Sequence, residues 1–193
     1  ILNNYNLSLA EKYRKQKMVP GAESVPFSQT FPFLKSFGLI GNFARGQEYT
    51  IFKHKGFIPF GAMVCIESTY SDLSRKMVLA GAEFLVYIAN DGWYLKPPEA
   101  QQHAKQTIFR AIETRKPILR CGNTGVTWVV GETGAILDSL QPNTKGVLSL
   151  DDTELYSNDK KTIYVIFGNW LVYICIIVWL ALVLKGVYSL KRK

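Results

Sequence analysis

The pattern of apolar and polar residues between positions 49 and 150 predicts alternating strands and helices. Apolar residues at helical spacing predict helices at Ser71–Ala80 and Glu99–Arg115. The apolar runs between and after them predict strands at Tyr49–Lys53, Phe57–Ile66, Glu83–Ala89, Pro117–Arg120, Val126–Val130, Ala135–Leu137 and Gly146–Leu150. This order of elements is typical of an α/β sheet with covered faces.

The region before this sheet is less regular. We predict a short helix at Ser8–Tyr13, an extended segment at Lys15–Glu23 and a loop over residues 24–46. The loop holds five phenylalanines: Phe27, Phe31, Phe33, Phe37 and Phe43. Because turn-rich sequence surrounds these rings, we expect a partly exposed lid that enters lipid, in preference to a core.

The C-terminal region predicts a membrane-spanning helix. Residues 162–184 contain no charged side chain, and residues 170–184 are apolar throughout. About 20 such residues cross the hydrocarbon core of a bilayer, which favours a transmembrane helix over a buried core helix. Four basic residues follow the span, so we expect a cytoplasmic tail with the preceding domain on the opposite side, the periplasm in a bacterium.

The amino-acid composition excludes several classes of protein. The 193 residues are 48% apolar and 20% charged, which excludes a disordered chain. The net charge of +8 would suit nucleic acid, anionic lipid or an acidic substrate, but the sequence has no nucleic-acid-binding motif, so we predict no nucleic-acid partner. Cys65, Cys121 and Cys175 show neither a disulfide framework nor a CxxC pattern, and we predict no metal and no cofactor.

Cys65 is the candidate nucleophile. An apolar run ends at this cysteine, and polar residues that can start a helix follow it directly. A tight turn between a strand and a helix lifts a side chain out of the core, although a buried structural cysteine is the alternative. A thiol becomes a thiolate near neutral pH only beside a cation, for which Lys15 and Lys17 are candidates.

Other ionisable side chains could take part in the chemistry of a reactive thiol. Glu23 and Glu67 could orient a lysine or move protons. His54 and His103 are the only histidines, and neither is well placed by sequence. We place His103 on the polar side of its helix, either in a structural role or behind the residues that contact substrate.

Several motifs in order resemble the nitrilase, or carbon–nitrogen hydrolase, superfamily, and within it the apolipoprotein N-acyltransferase family. They run from about Tyr5 to Leu150. The motifs are Tyr13-Arg14-Lys15-Gln16-Lys17-Met18-Val19-Pro20-Gly21-Ala22-Glu23, Cys65-Ile66-Glu67, Asn90-Asp91-Gly92-Trp93, Gln102-His103, Arg110-Ala111-Ile112-Glu113-Thr114-Arg115 and Asn123-Thr124-Gly125.

The resemblance implies a role for each site residue. Cys65 is the nucleophile, and Lys15 beside it keeps the sulfur ionised and stabilises the tetrahedral intermediate. Glu67 and Glu23 orient the lysine and shape the site. Trp93 lies on a loop over the pocket, and Tyr94 next to it is expected to bind substrate as well.

The resemblance also implies fold and function. We expect a nitrilase-like αββα sandwich, incomplete at the N-terminus, over residues 1–157, followed by the transmembrane helix and basic tail over residues 158–193. The implied enzyme is an acyltransferase. It moves a fatty acyl chain from a phospholipid, through a cysteine thioester, to the N-terminal amine of a diacylglyceryl-cysteine apolipoprotein.

Three features depart from the family or leave alternatives open. The superfamily's general-base glutamate lies upstream of the lysine, and Glu11 is too close to Lys15 to replace it. The chain begins at Ile1 without a methionine, so we expect a fragment that needs the rest of the enzyme as a partner. Ile66 stands where the family often has Tyr. The alternatives are a membrane-anchored amidase that uses the same residues, and an inactive remnant.

Overall fold

Six strands form one mixed sheet in chain order. The computed structural model describes residues 11–28, 30–37, 43–93, 98–149, 155 and 160–191, with only the backbone at positions 35 and 37. The strands are β1 (Ile51–Phe52), β2 (Phe60–Val64), β3 (Phe84–Ala89), β4 (Ile118–Gly122), β5 (Thr127–Val130) and β6 (Ile136–Leu140). Strands β2, β3 and β4 are parallel, and the other neighbouring pairs are antiparallel.

Two helices connect the parallel strands. Helix α1 (Ser71–Leu79) joins β2 to β3, and helix α2 (Glu99–Thr114) joins β3 to β4. Parallel neighbours require such crossover connections. The carboxyl ends of β2, β3 and β4 therefore meet at one edge of the sheet, which is where open α/β sheets bind their ligands.

The hydrophobic core lies between this sheet and the two helices. Met63, Leu85 and Tyr87 are fully buried or nearly so on the sheet side, and Met77 and Ala111 face them from the helices. Two polar groups inside this core are paired with each other, since the Tyr87 hydroxyl lies 2.7 Å from Ser74 Oγ. This satisfies the rule that a polar group removed from water needs a hydrogen bond.

The opposite face of the sheet is more open. Ile88 on β3 is 53% exposed and its register partner Cys121 on β4 is also exposed. Phe52, Phe60 and Phe84 stack across the strands at one end of this face, with ring centroids 5.0 and 5.2 Å apart. The described residues thus supply one helical layer and one sheet, two of the four layers of an αββα sandwich.

The apolar C-terminal region forms two helices instead of one. Helix α3 (Ile163–Phe167) ends at Gly168, whose φ of 63° is strained for other residues, and helix α4 runs from Trp170 to Lys191. Val165 is fully buried in the domain core, which fixes α3 to α1 and α2. An 18-residue stretch of helix α4 has a mean hydropathy of 2.4, the helix has no buried residue, and it is long enough to cross a membrane.

Most predicted elements are present, with bounds that differ from the predicted ones by a few residues. Two predictions are wrong where they can be checked. Residues 11–13 are not helical, and residues 8–10 of that predicted helix lie outside the described part. Residues 146–149 form no strand, and Leu150 also lies outside. Asn143, at a φ of 60°, donates its backbone N–H to the Thr124 carbonyl, so the chain turns back after β6.

Candidate active site

Cys65 stands at the turn between β2 and the following short 3-10 segment, Cys65–Thr69. Its backbone has a φ of 56°, the left-handed region that a non-glycine residue adopts only under constraint. The side chain is half-buried and its thiol is free. The predicted strand, tight turn and helix around this cysteine are therefore confirmed.

Glu67 holds the segment that carries the lysine. Its carboxylate is fully buried, and Oε1 accepts the backbone N–H groups of Gln16 at 2.6 Å and Lys17 at 3.0 Å. Its Oε2 accepts the Val64 N–H at 2.7 Å, directly before the nucleophile. Glu67 thus joins the Cys65 turn to the backbone on the far side of Lys15, and it acts on the position of the lysine rather than on the ammonium itself.

Lys15 and Glu23 form a close ion pair beside this turn. Lys15 Nζ donates to both carboxylate oxygens of Glu23, at 2.7 and 2.6 Å. Val19 adds its backbone N–H to the same carboxylate at 2.9 Å. Burial raises the pKa of Glu23, but these hydrogen bonds and the Lys15 charge outweigh it, so the pKa lies below its ordinary value. Glu23 is an ionised group that fixes the lysine head.

The electrostatic surroundings of Cys65 contradict the expectation that its sulfur is ionised. Burial raises the pKa of the Cys65 thiol above its ordinary value, and the Lys15 charge and a hydrogen bond from the Ile66 backbone N–H lower it only in part. The sulfur is therefore protonated at neutral pH, and not held ionised as the sequence led us to expect. The Lys15 charge favours the ionised sulfur, but a base must take the proton when Cys65 attacks.

A buried chain of polar groups, which sequence reasoning missed, lies beneath Cys65. His103 Nε2 lies 3.1 Å from the Cys65 carbonyl oxygen, and His103 Nδ1 lies 3.0 Å from Asp91 Oδ1. Arg120 donates to both Asp91 oxygens, at 3.2 and 2.9 Å. His103 is only 9% exposed, so the polar side of the helix that carries it faces the protein interior.

The sequence does contain a signal for the buried side of α2 that carries His103. His103, Thr107, Arg110 and Thr114 recur at helical spacing and are all buried. They form a polar stripe beside the apolar stripe that we used to orient the helix. Gly125 shows how tightly Asp91 is packed, because a Cβ at position 125 would lie 2.0 Å from Asp91 Oδ2.

The predicted substrate-binding residues are only partly described. Trp93 ends the short 3-10 segment Asp91–Trp93 after β3 and is 70% exposed. Tyr94 lies outside the described residues. The position of Trp93 at the carboxyl edge of the sheet is compatible with the predicted loop over the site, and its contact with substrate stays a prediction.

A cavity of about 710 Å³ is lined by residues from Ser24 onward, the segment that follows Glu23 in the chain. Its walls combine the phenylalanine loop with residues 43–47, including Phe27, Phe43 and Arg45. Two backbone hydrogen bonds tie this wall to the site, from Phe43 N–H to the Glu23 carbonyl at 3.1 Å and from Gly46 N–H to the Lys15 carbonyl at 2.8 Å. Among the described residues, no three His, Cys, Asp or Glu side chains group as metal ligands.

Comparison with known proteins places this chain in a family. The carbon-nitrogen hydrolase family model matches residues 2–153. An apolipoprotein N-acyltransferase of Thermotoga maritima is 30% identical over 165 residues, which cover 86% of this chain and 32% of the relative. An apolipoprotein N-acyltransferase 1 of Treponema pallidum is 34% identical over 144 residues, which cover 73% of this chain and 26% of the relative. The chain thus spans about a third of the length of these relatives.

Solved structures show the same fold. An amidase from Nesterenkonia sp. AN1 superposes with a TM-score of 0.51 at 18% identity, over 76% of this chain and 53% of that one. A glutamine-dependent NAD+ synthetase from Acinetobacter baumannii gives a TM-score of 0.51 at 14% identity, over 62% of this chain and 24% of that one. The predicted α/β class of nitrilase type is confirmed, and the chain belongs to the carbon–nitrogen hydrolase family.

Proposed function

We propose that this chain carries the nucleophile and lysine of a membrane-bound N-acyltransferase. Its reaction moves a fatty acyl chain from a phospholipid to Cys65, and then to the N-terminal amine of a diacylglyceryl-cysteine apolipoprotein. The observation that carries the proposal is the Cys65 turn, which Glu67 ties to the segment that carries the Glu23-bound Lys15. The names of the relatives support the acyl-transfer assignment.

In the first half-reaction the sulfur of Cys65 attacks the ester carbonyl carbon of the phospholipid. The thiol proton goes to a base, because the raised pKa keeps the resting sulfur protonated. Negative charge develops on the carbonyl oxygen, where the Lys15 ammonium stabilises it. The C–O bond then breaks, the lysophospholipid leaves with a proton, and a thioester remains on Cys65.

In the second half-reaction the free amine attacks the thioester carbonyl. The C–S bond breaks, the amide forms, and the sulfur recovers a proton. A thioester reacts faster with an amine than the starting oxygen ester does, so the covalent intermediate divides one slow transfer into two easier steps. The same lysine serves both steps, because an oxyanion forms in each.

The surface next to the site favours a lipid donor. Phe27, Phe31, Phe33 and Phe43 are all at least half exposed, and the side chain of Phe37 lies outside the described part. Such a cluster of rings in water is unusual unless another apolar surface covers it. Together with helix α4, the loop supports a domain held at a bilayer, with the basic tail in the cytoplasm and Cys65 on the periplasmic side.

Mass spectrometry tests the proposal on the complete gene product. The protein is incubated with vesicles of phosphatidylethanolamine that carries palmitoyl chains, and its intact mass is measured. We expect one palmitoyl adduct on Cys65, released by a diacylglyceryl-cysteine peptide but not by buffer. Cys65→Ala should give none, while Cys121→Ser should match the wild type. An adduct that water releases as fast as the peptide would instead indicate a hydrolase of amidase type, and no adduct on a folded protein would refute acyl transfer.

A further inference from the structure

Three cations surround a small cavity next to the segment that carries Lys15. The cavity has a volume of about 90 Å³, and Lys12, Arg14 and Arg45 line it together with Glu48. Among the described residues, none of these four side chains takes part in an ion pair. The lining therefore carries three positive charges and one negative charge, which attracts an anion. A space of about three water volumes has room for a tetrahedral oxyanion.

The backbone explains why these cations meet. Lys12 and Arg14 are exposed whereas Lys15 is partly buried, as an extended segment with alternating side chains gives. Gly46 donates its N–H to the Lys15 carbonyl at 2.8 Å, and a Cβ at position 46 would overlap the Arg14 carbonyl oxygen. Only a glycine allows the two segments to approach so closely. The approach brings Arg45 beside the two exposed cations.

The small cavity meets an apolar one. Arg45 and Gln47 line both it and the cavity of about 710 Å³ described above. The other walls of the larger cavity include the exposed rings of Phe27 and Phe43. Cations in one cavity and phenylalanine rings in the next match a molecule in which an anionic group is joined to an apolar chain. A phospholipid has this chemistry, whereas a free phosphate would use only the first cavity.

Arg45 also lies near the lysine–carboxylate pair. Its Nη2 donates to Ser24 Oγ at 3.3 Å, and Ser24 directly follows Glu23. On its other side it directly precedes Gly46, which is bonded to the Lys15 carbonyl. A guanidinium has five N–H donors, so one bond to a serine leaves several that can bind an oxyanion.

We propose that Lys12, Arg14 and Arg45 bind the phosphate group of a phospholipid whose acyl chain follows the phenylalanine-lined cavity. Arg45 makes the central contact, because it is the only one of these three cations that lines both cavities. Its planar fork matches phosphate oxygens better than an ammonium does. The identification of this lipid as the acyl donor rests on the proposed function, whereas the binding of the lipid does not.

Equilibrium binding to the complete gene product with Cys65→Ala tests the site, because this protein cannot form a thioester. Calorimetric titrations in nonionic detergent use three probes: dihexanoylphosphatidylethanolamine, dihexanoylglycerol and inorganic phosphate. The second probe has the acyl chains without the phosphate, and the third has the phosphate alone. Each probe is compared between variants, so its partition into detergent cancels.

We expect Arg45→Ala to weaken binding of the phospholipid about three- to tenfold, between the effects of an exposed ion pair and of a buried charge-assisted hydrogen bond. Arg14→Ala should weaken it in the same direction, and Arg45→Lys should recover part of the loss. Binding of dihexanoylglycerol should not change in any of these variants. Phe43→Ser should weaken binding of both lipids and leave that of phosphate unchanged.

Lys17→Ala is the matched control, because Lys17 is an exposed lysine on the same segment and lines neither cavity. It should bind the phospholipid as tightly as the parent protein. An equal loss in this control would indicate general attraction to a basic surface and would overturn the inference. Unchanged binding in a folded Arg45→Ala protein would overturn it too. Inorganic phosphate that binds as tightly as the phospholipid would indicate a site for free phosphate instead.

The outcomes separate this inference from the proposed function. Lipid binding that depends on Arg45, without any palmitoyl adduct on Cys65 in the wild type, would refute acyl transfer and leave the lipid site in place. An adduct that forms while Arg45→Ala binds the phospholipid normally would refute the site alone.

Discussion

The Glu67 carboxylate accepts the backbone N–H of Gln16 at 2.6 Å, across 51 positions of sequence. This bond and its neighbours at Lys17 and Val64 join the nucleophile turn to the segment that carries Lys15. The distance between the sulfur and the ammonium is therefore set by a third, fully buried residue. Such positioning matters because catalysis depends on geometry at the scale of about an ångström.

Replacing Glu67 by Ala should lower stability and activity together. Three partly buried N–H groups would lose their acceptor, and a fully buried unsatisfied group costs about 1–3 kcal/mol, which is an upper bound here. We expect a clear fall in the thermal unfolding midpoint and a slower acylation of Cys65, both measured on the protein in detergent. Glu48→Ala is the control, since that side chain is exposed. A Glu67→Ala protein as stable as the control would contradict the role given to Glu67.

Replacing Lys15 by Met should slow both half-reactions while the fold remains. Loss of one donor to an oxyanion typically raises a barrier by about 2.7–4 kcal/mol, or about 10²–10³-fold in rate. The thiol pKa should also rise further, because Lys15 lowers it in the wild type. Single-turnover measurements of thioester formation and of its aminolysis test each step separately. Lys17→Met is the control, because Lys17 is exposed and its Nζ lies 5.2 Å from the centre of the Tyr70 ring. Equal rates in the two variants would remove Lys15 from the mechanism.

Arg75 should be needed for acyl donors in a bilayer more than for soluble ones. Its guanidinium, on the helix that follows Cys65, donates to the carbonyls of Tyr164, Val165 and Ile166 at 2.9–3.2 Å. These contacts hold α3 to the domain just before the apolar helix α4. Arg75→Ala should speed hydrogen exchange in α3, and it should reduce acylation from vesicles more than acylation from p-nitrophenyl butyrate.

Lys76→Ala provides the comparison on the same helix, since Lys76 binds only Asp72 and the Tyr49 ring among the described residues. It should leave both rates near those of the wild type. Equal losses with both donors in Arg75→Ala would mean that the arginine serves the domain generally and not its attachment to the bilayer.

Protonation of Asp91 should lower the stability of the folded protein at acidic pH. The pKa of Asp91 is depressed in the folded protein, so its contribution is complete above its ordinary value of 3.8 and is lost as the pH falls through the folded value. Asp91→Asn should therefore be strongly destabilised at pH 7, with a gap to the wild type that narrows below about pH 4. Unfolding midpoints at pH 7, 5, 4 and 3 measure this gap. Asp138→Asn, at an exposed carboxylate, should show no such trend, and a constant gap for Asp91→Asn would refute the assignment.

The sequence alone predicted the parts of the fold that depend on local patterning. Apolar runs and helical spacing located β2, β3, α1 and α2 within a few residues, because such patterns determine which side of an element can be buried. The strand, turn and helix around Cys65 could be predicted in the same way. The apolar segment also predicted helix α4, but not the break at Gly168, which follows from the docking of Val165 into the core.

What only the tertiary structure decided were the contacts between distant residues. Lys15, Glu67, Asp91 and His103 lie in four separate segments, and no local pattern specifies that the first two are joined through Gln16 and Lys17 or that His103 reaches the Cys65 carbonyl. The protonation of the thiol likewise depends on how much water the fold removes from around it, against the field of one ammonium. Residue types determine which charges are available, whereas burial and distance determine which form of each is stable.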